Sequence, residues 1–346
     1  MEGKIKIAQI GVSKHSHGRQ IFDSLKKQED IFEIVGYALP ENEREKFPKQ
    51  VSCFDGCREM TVEEILNDPE IRAVTIETEE IYLTKYAILA AKHGKHVHME
   101  KPGSPDMENF QRLIETARHN KTVLHIGYMY RYNPCVTQLM EQVKTGELGE
   151  IISVEAQMNC IHPAETRQWL SAFPGGMMFF LGCHLVDLIL QLQGMPERII
   201  PLNKCSGVDG VTSEDFGMAV LEYQNGVSFA KTSAVETGGF ARRQLVVSGT
   251  KKTVELKPLE MTMENGSPLV YTQKTEYESS VWKDMGERLR TEPFDRYDAM
   301  MAAFATMARG ERENPYTYDY ELELFKTVLA CCGGEKGDRD ESNFSE

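Results

Sequence analysis

The sequence predicts an α/β protein with two domains. A doubly wound parallel sheet comes first, and an α/β domain with a large, mainly antiparallel open sheet follows. Up to residue 126, short apolar strand patterns alternate with helix patterns of about 10–15 residues, as in right-handed β-α-β crossovers. After residue 149 the strand patterns are longer, and tight turns separate them.

In the first domain, five strand patterns are short, apolar and rich in β-branched residues. They cover residues 4–10, 32–39, 73–78, 95–100 and 122–127. The helix patterns between them have clear end signals. Thr61 and Glu64 form a capping box, Gly94 ends one helix, and Ser104 or Asp106 caps the next. This first domain is predicted to span residues 1–126.

The second domain is predicted to span residues 127–332. Its strands include "EIISVEAQMNC" and "DFGMAVLEYQNGVSFAKTSAV", and Asn225-Gly226 in the latter is typical of a hairpin turn. A second hairpin is predicted in "QLVVSGTKKTVEL", and a final helix over about 320–331 is expected to pack onto this sheet. The polar, glycine-rich residues 333–346 are predicted to be disordered.

Composition argues against several function classes. The 346 residues include 39 basic and 53 acidic side chains, and the net charge of −14 disfavours nucleic acid and anionic membrane surfaces as partners. The most apolar stretch, 177–192, is too short to span a bilayer, and the first residues lack the apolar region of a signal peptide. Eight scattered cysteines show no paired zinc spacing, so we expect a cytoplasmic protein with reduced thiols and no bound metal.

The first strand runs into "IAQIGVSKHSHGRQIF" (7–22), where a nucleotide-binding turn would read Gly-x-Gly-x-x-Gly. Only Gly11 is in place, and Ser13 and Ser16 stand at the other two glycine positions. Small side chains would still let the backbone approach a pyrophosphate. A serine hydroxyl could donate a hydrogen bond, and the helix start would offer free N–H groups. A plain strand-to-helix turn with His15 and His17 at the surface explains the stretch equally well.

Charged side chains follow two further strands of the parallel sheet. Glu41, just after the second strand, could bind the adenosine ribose, and acids there would repel a 2′-phosphate, which favours NAD over NADP. Glu100 and Lys101 end the fourth strand, at the edge where doubly wound sheets hold ligands. Lys101 would face the nicotinamide, where burial and a nearby pyridinium would lower its pKa and help it accept a proton. Solvated loops at both strand ends are the alternative.

The second domain contains two candidate substrate-binding segments. In "GYMYRYNP" an extended chain would place three tyrosines on one face and Arg131 and Asn133 on the other, where they could bind hydroxyl groups. In "NCIHPAETRQWL" a loop would carry His162, Arg167 and Trp169, which offer hydrogen bonds and an aromatic face to a sugar. A core crossover in the first segment and a solvated loop in the second are the alternatives.

Four motifs together resemble the Gfo/Idh/MocA oxidoreductases, which act mostly on sugars, inositols and related polyols. They are the N-terminal turn, "AAKHGKHVHMEKP", "GYMYRYNP" and "GGMMFFLGCHLVDLI", in the family's order and spacing across nearly the whole chain. The resemblance implies a Rossmann domain that binds a nicotinamide cofactor, a C-terminal open α/β domain, and a substrate bound between the two. It also favours the nucleotide-binding interpretation of the opening turn.

The resemblance implies roles for individual residues. Lys101 matches the family lysine that contacts the nicotinamide ribose and the substrate hydroxyl, with a Lys101–Pro102 bond that can be cis. His184 matches the histidine proposed as the catalytic acid/base. Thr78 matches a threonine that contacts the cofactor, although Glu79 replaces the usual proline after it. The predicted cofactor-binding residues are therefore Gly11, Ser13, His15, Ser16, His17, Glu41, Thr78, Glu79, Glu100 and Lys101.

The sequence departs from the family at Phe180, where many of its dehydrogenases have an aspartate four residues before the histidine. If residues 180–192 form a helix, His184, Asp187 and Gln191 lie on one polar stripe, so Asp187 could support His184 or bind substrate. The departure also favours glycosides oxidised at ring C3, with the aglycone against residues 177–179.

The sequence thus predicts an NAD-dependent oxidoreductase that acts on a secondary ring hydroxyl of a sugar, glycoside or cyclitol through Lys101 and His184, without a metal. Two alternatives stay open. One is a glycoside-cleaving enzyme that uses a tightly bound NAD transiently, and the other is a catalytically silent ligand sensor. An open face of the second sheet predicts a homo-oligomer.

Overall fold

The computed structural model describes residues 3–264, 267–279, 281–283 and 285–334. The chain divides into two compact units, Met1–Met129 with Arg296–Glu323, and Tyr130–Asp295 with Leu324–Glu346. The sequence analysis placed the domain boundary between residues 126 and 127 and assigned residues 296–323 to the second domain. In the structure, residues 296–323 group with the first unit. Most of the segment that was predicted to be disordered, from residue 335 onward, lies outside the described residues.

The first unit contains a five-stranded sheet in which every pair of neighbouring strands is parallel. Its order is β2-β1-β3-β4-β5. The strands are β1 (Ile5–Ile10), β2 (Phe32–Ala38), β3 (Ala73–Ile76), β4 (His96–Met99) and β5 (Leu124–Ile126). All five strands were predicted, and each predicted strand is one to three residues longer than the observed strand. Side chains of β1 and β3 are almost entirely buried, as expected for a sheet with helices on both faces.

Eleven α-helices are found in the described part of the chain. They are α1 (Gly18–Lys27), α2 (Glu43–Lys46), α3 (Pro48–Val51), α4 (Val62–Asn67), α5 (Leu83–Lys92), α6 (Met107–Asn120), α7 (Pro134–Lys144), α8 (Ala164–Trp169), α9 (Cys183–Gln193), α10 (Asp298–Ala308) and α11 (Tyr318–Cys331). The capping box of α4 forms between Thr61 and Glu64, and Asp106 caps α6. Helix α10, which the sequence analysis missed, contacts α1 of the first unit.

The second unit is built on an eight-stranded sheet of order β15-β14-β11-β10-β6-β9-β8-β7. All pairs are antiparallel except β6 with β9. Its strands are β6 (Ile151–Asn159), β7 (Arg198–Pro201), β8 (Phe216–Tyr223), β9 (Gly226–Ser233), β10 (Gln244–Gly249), β11 (Thr253–Leu256), β14 (Gln273–Tyr277) and β15 (Glu287–Arg290), while β12 (Met261–Thr262) and β13 (Val270–Tyr271) pair separately. Both predicted hairpins, β8–β9 and β10–β11, are present. The predicted fold class is therefore confirmed.

One face of this large sheet is buried and the other is partly open. Alternate residues of β8 and β10 are buried, and those between them are half-buried. Helix α9 packs against β6 and β9, so it covers the buried face. Association of copies through the open face stays a prediction.

Within the described ranges, no helix is both long enough and apolar enough to cross a membrane.

Candidate active site

The turn after β1 lies at the point where the strand order of the sheet reverses, because β2 is on one side of β1 and β3 is on the other. Doubly wound sheets bind ligands at such a point, beyond the carboxyl ends of the strands. Gly11 has a φ of 81°, and a Cβ added there would lie 2.3 Å from Cγ2 of the buried Thr78. Glycine is therefore required by both the backbone angle and the space, and Thr78 forms the wall of the turn.

The serines at the other two glycine positions form hydrogen bonds that stabilise the turn. The Ser13 hydroxyl accepts from the N–H groups of His15 and Ser16 at 3.1 and 2.9 Å. The Ser16 hydroxyl accepts from the N–H groups of Ser13 and Gly18 and donates to the Glu77 carbonyl at 3.0 Å. The N–H groups of Ser13, His15, Ser16 and Gly18 and the Ser16 hydroxyl hydrogen are therefore already bound within the protein. Donation by the Ser13 hydroxyl to a cofactor stays a prediction.

Replacement of Gly11 tests how tightly the turn is built. We expect Gly11→Ala to lower the free energy of unfolding by about 2–5 kcal/mol, as the sum of backbone strain and a steric overlap. Gly94→Ala is the matched control, because Gly94 has a φ of 72° but open space around the added Cβ. That variant should lose only about 1 kcal/mol, the strain contribution alone. Equal losses in urea unfolding would show that contact with Thr78 has no effect.

Glu100 connects the start of α1 to the end of β4. Its Oε2 accepts from the His17 backbone N–H at 3.0 Å and lies 2.9 Å from His17 Nδ1, while its Oε1 lies 3.7 Å from Lys101 Nζ. The side chains of Glu100 and Lys101 are only 2% and 1% exposed. Burial alone would raise the pKa of Glu100, but His17 and Lys101 outweigh it and hold that pKa well below the usual range. Glu100 is thus a buried carboxylate that anchors Lys101. The Lys101–Pro102 bond is cis, as the resemblance implied.

Two more carboxyl groups are buried beside this pair, and the sequence analysis missed both as functional residues. Glu77 and Glu80 are 0% and 1% exposed, and within the described ranges neither oxygen of either side chain has a hydrogen-bond partner in another residue. Burial and the neighbouring glutamates raise the pKa of Glu77 well above its usual value. Burial likewise raises the pKa of Glu80 to about 8, although Lys101 opposes the shift. The signal was present in "TIETEE" (75–80), an acid-rich run that directly continues a buried strand.

Two histidines extend the buried polar groups across the sheet. Nδ1 of His98 lies 2.8 Å from Nδ1 of His125, and Nε2 of His98 lies 3.7 Å from the Glu77 carboxyl group. Burial lowers the pKa of His98 to about 4, so this ring is neutral near pH 7. His98 therefore adds no positive charge to the neighbouring acids.

The remaining candidates of the first unit lie at strand ends on its surface. The Glu41 carboxylate accepts from Lys85 Nζ at 2.8 Å and from the Tyr86 hydroxyl at 2.5 Å. Burial would raise the pKa of Glu41, but these two hydrogen bonds lower it. Glu79 forms an ion pair with Lys46 at 2.8 Å. Both acids already have cationic partners, and their contact with a cofactor stays a prediction.

Residues 129–132, where the second unit begins, form a 3₁₀ turn, so the prediction of an extended chain with alternating faces was wrong. Tyr130 is buried, and its hydroxyl donates to Glu260 at 2.5 Å. Arg243 also binds this Glu260 oxygen, at 2.7 Å. The Tyr130 ring stands edge-on to the ring of His184, with 5.2 Å between centroids and an 88° angle between planes. Tyr130 therefore packs directly against the proposed catalytic histidine.

Arg131 and Asp187 form a buried, two-pronged ion pair. Nε and Nη2 of Arg131 donate to the two carboxylate oxygens of Asp187 at 3.0 and 2.8 Å, and both side chains are 1% exposed. Gln191 donates to the same carboxylate at 2.9 Å. The polar stripe predicted on this helix is present, but the Asp187 carboxylate oxygens accept hydrogen bonds from Arg131 and Gln191. Substrate binding by Arg131 and Asp187 stays a prediction.

Asn133 and Arg167 are held by the protein itself. The Asn133 side chain caps α7 by accepting from the N–H groups of Cys135 and Val136, and its amide donates to Leu259 and Thr272. Arg167 is 2% exposed and pairs with Asp209 and Asp215. These contacts give both residues a structural role, and their direct contact with a substrate stays a prediction.

The segment that was predicted to be a loop contains α8, which ends at Trp169. The Trp169 ring packs edge-on against Phe173 and Phe180, with centroids 4.9 and 5.2 Å apart. Phe180 belongs to an apolar cluster with Cys160, Leu170, Met177 and Ala234. Phe180 therefore has a packing role at the position where the resemblance led us to expect an aspartate. His162 lies near this ring, and burial lowers its pKa.

The proposed platform for an aglycone is not on the surface. Met177, Met178 and Phe179 are 0%, 0% and 1% exposed. Phe179 stacks on Phe173, with ring centroids 5.4 Å apart. These three side chains belong to the core of the second unit, so the expectation that they contact a glycoside's aglycone was wrong.

His184 lies in the first turn of α9, directly after a π-helical segment, Met178–Gly182. Such wide turns occur often at functional sites, where they redirect a side chain. His184 is 1% exposed, so its imidazole is shielded from bulk water within the second unit. This burial fits a core histidine as well as an acid/base group, and the catalytic role of His184 stays a prediction.

A parallel sheet with a nucleotide-type turn, in a chain that also contains an α/β unit with a large open sheet, defines a two-domain protein with a Rossmann-type fold. Two family models support this class. The model of the Gfo/Idh/MocA oxidoreductase family with an NAD-binding Rossmann fold matches residues 5–128, and that of the Gfo/Idh/MocA C-terminal domain matches residues 136–255. The chain belongs to the Gfo/Idh/MocA family.

Several known proteins are similar to this chain. It is 24% identical to 1,5-anhydro-D-fructose reductase of Ensifer adhaerens over 78% of this chain and 79% of that protein. It is 26% identical to scyllo-inositol 2-dehydrogenase (NADP(+)) of Bacillus subtilis over 51% of this chain and 48% of that protein. The crystal structure of a putative NADPH-dependent oxidoreductase from Desulfitobacterium hafniense superposes with a TM-score of 0.78 at 21% identity, covering 96% of each chain.

Proposed function

We propose that this protein is an NAD-dependent dehydrogenase that oxidises a secondary ring hydroxyl of a sugar, glycoside or cyclitol by hydride transfer. The observation that carries the proposal is Lys101, an amine 1% exposed at the carboxyl end of β4 and anchored beside the Glu100 carboxylate. The names of two relatives, a reductase of anhydrofructose and a dehydrogenase of scyllo-inositol, support a polyhydroxylated ring as the substrate.

The residues of the first unit fit a dinucleotide. The carboxyl oxygens of Glu77 and Glu80, which have no donor from another residue in the described part of the protein, could accept hydrogen bonds from ribose hydroxyls or from the nicotinamide carboxamide. Gly11 and Thr78 would line the turn, and Glu41 at the end of β2 supports NAD over NADP. When bound, the nicotinamide ring supplies the hydride acceptor.

The chain's own residues would hold the hydroxyl and remove its proton. Lys101 would hold the hydroxyl oxygen, with Glu100 fixing the position of the ammonium group. His184 would accept the proton, and the edge of the Tyr130 ring limits how the imidazole can turn. Arg131 is held by Asp187 and could orient a neighbouring hydroxyl of the ring.

A substrate panel tests this proposal. Purified protein is incubated with free sugars, glucosides and inositols, each with NAD⁺ or NADP⁺, while the near-ultraviolet absorbance of the reduced cofactor is followed. We expect reduced NAD to accumulate with at least one ring alcohol, and mass spectrometry to find the matching keto product. A 3-keto glycoside would support the finer assignment of ring C3.

Other outcomes of the panel would favour other functions. Release of an aglycone without reduced cofactor would indicate a glycoside-cleaving enzyme that uses NAD transiently. Sugar binding without turnover under any condition would indicate a ligand sensor. Turnover with NADP⁺ alone would contradict the assignment to NAD.

A further inference from the structure

Glu77, Glu80 and Glu100 form a buried group of carboxyls in the first unit, which we call the acid cluster. The proposed reaction uses Glu100 to anchor Lys101 but gives no role to the charges of the other two. All four oxygens of Glu77 and Glu80 lack a hydrogen-bond partner from any other described residue, although the two residues are only 0% and 1% exposed. Within the described ranges, the Glu80 carboxyl group has a hydrogen-bond interaction only with its own backbone N–H. Buried polar groups are rarely left unpaired, so these oxygens indicate a ligand that supplies the missing partner.

The position of Glu77 indicates which ligand this is. Glu77 follows β3 directly, and its carbonyl accepts the hydrogen bond from the Ser16 hydroxyl of the turn after β1. A Cβ added at Gly18, where α1 begins, would lie 2.8 Å from Cβ of Glu77. Glu77 therefore lies between the ends of β1 and β3, at the edge where a sheet of this topology binds its ligand.

The fixed charges around the acid cluster leave it short of positive charge. Lys101, Glu100 and Glu79 act on Glu80, and Glu100, Glu80 and Lys101 act on Glu77. On the side of α1, His17 is already bound to Glu100. On the sheet side, Nε2 of His98 lies next to Glu77, and Nδ1 of His98 faces His125. The low pKa of His98 keeps its ring uncharged near pH 7. Lys101 is paired with Glu100 and Lys46 with Glu79, so the described residues offer Glu77 and Glu80 no cation that is not shared with another carboxylate.

A pyridinium ring carries the positive charge that this surrounding lacks, whereas the reduced ring is neutral. We propose that Glu77 and Glu80 make the protein bind oxidised nicotinamide dinucleotide more tightly than the reduced form, and that Glu80 gives up a proton when the cationic ring binds. The proposal rests on the proposed function, because it takes Lys101 to mark the nicotinamide end of the cofactor. At equal concentrations of the two forms, the oxidised form would then occupy more of the protein.

The sign of the pH effect follows from proton linkage. In the free protein Glu80, with a pKa of about 8, keeps its proton at neutral pH. A cation nearby favours the carboxylate, so the complex with NAD⁺ holds fewer protons and its association constant rises with pH up to about 8. NADH has the same phosphates and riboses but a neutral ring, so it should not cause this release. The difference between the two forms therefore isolates the ring charge.

Titration calorimetry of the whole protein measures this difference. NAD⁺ and NADH are each titrated near pH 7 in two buffers that differ in ionisation enthalpy, which gives the protons released on binding. We expect NAD⁺ to release up to about one proton more than NADH, and its Kd to fall by up to about tenfold per pH unit below pH 8. In Glu80→Gln the difference in proton release should disappear. Its Kd for NAD⁺ should rise about tenfold, with the Kd for NADH little changed.

Glu43→Gln is the matched control. Glu43 is also a fully buried glutamate of the first unit, and burial raises its pKa, but it has a partner in the Glu41 backbone N–H at 2.7 Å. This variant should keep the wild-type difference in proton release. Equal proton release by NAD⁺ and NADH in the wild-type protein would overturn the inference even if Glu80→Gln failed to fold. Binding of neither dinucleotide would instead overturn the proposed function, and the inference with it.

Discussion

Lys101→Met is expected to lower kcat/KM for the preferred alcohol by about 100- to 1,000-fold, the usual cost of removing a positioned donor that holds a reacting oxygen. Methionine keeps most of the length of the side chain but removes the ammonium group beside Glu100 and Glu80. Steady-state kinetics with the substrate found in the panel measures the loss. Circular dichroism of the same sample reports whether the variant is folded.

Lys95→Met is the matched control for this experiment. Lys95 is also a buried lysine, 5% exposed, and it lies just before the opposite, amino-terminal end of β4. Its Nζ donates to the carbonyls of Asp68 and Ile71 at 2.5 and 2.8 Å, so its loss should affect stability and leave turnover near the wild-type value. If both variants lost turnover equally, the effect of Lys101 would be structural, and its catalytic assignment would fail.

The fold could be predicted because its signals are local. Strand patterns, the capping box at Thr61 and Glu64, and the hairpin at Asn225-Gly226 each depend on a few neighbouring residues, and all are found in the structure. Helix α10 was missed because it packs on the first unit from far along the chain. Its position depends on tertiary contacts with α1, which a local pattern does not contain.

The chemistry of the site was harder to predict because it depends on which side chains meet. The motif around Lys101 indicated a buried lysine, but not that Glu77 and Glu80 approach it from the end of β3. Serine was expected to donate to a ligand at the opening turn, and the sequence did not show that Ser13 and Ser16 also close the turn themselves. Residue types limit what a site can do, and the three-dimensional partners decide which of those roles remain open.

Asp187 shows this most clearly. Its spacing from His184 on α9 suggested that Asp187 supports His184, whereas in the structure the Asp187 carboxylate forms an ion pair with Arg131. We expect Asp187→Ala to lower the free energy of unfolding by about 3–5 kcal/mol, since it leaves the Arg131 guanidinium buried and without its counter-charge. The measurement is the midpoint of urea unfolding, with the m-value checked for constancy. Asp319→Ala is the control, because the Arg118–Asp319 pair is 50% and 75% exposed and should matter little.

The double variant Arg131→Met with Asp187→Leu separates charge from packing. If the loss in Asp187→Ala comes from an uncompensated buried cation, replacing both partners by apolar side chains should recover much of the stability, because neither charge then remains in the core. If Asp187 instead matters only through the volume it fills, Asp187→Leu alone should be as stable as the double variant. Turnover of the double variant gives a second result. Stability that returns without turnover would mean that Arg131 is needed for the reaction and not only for the fold.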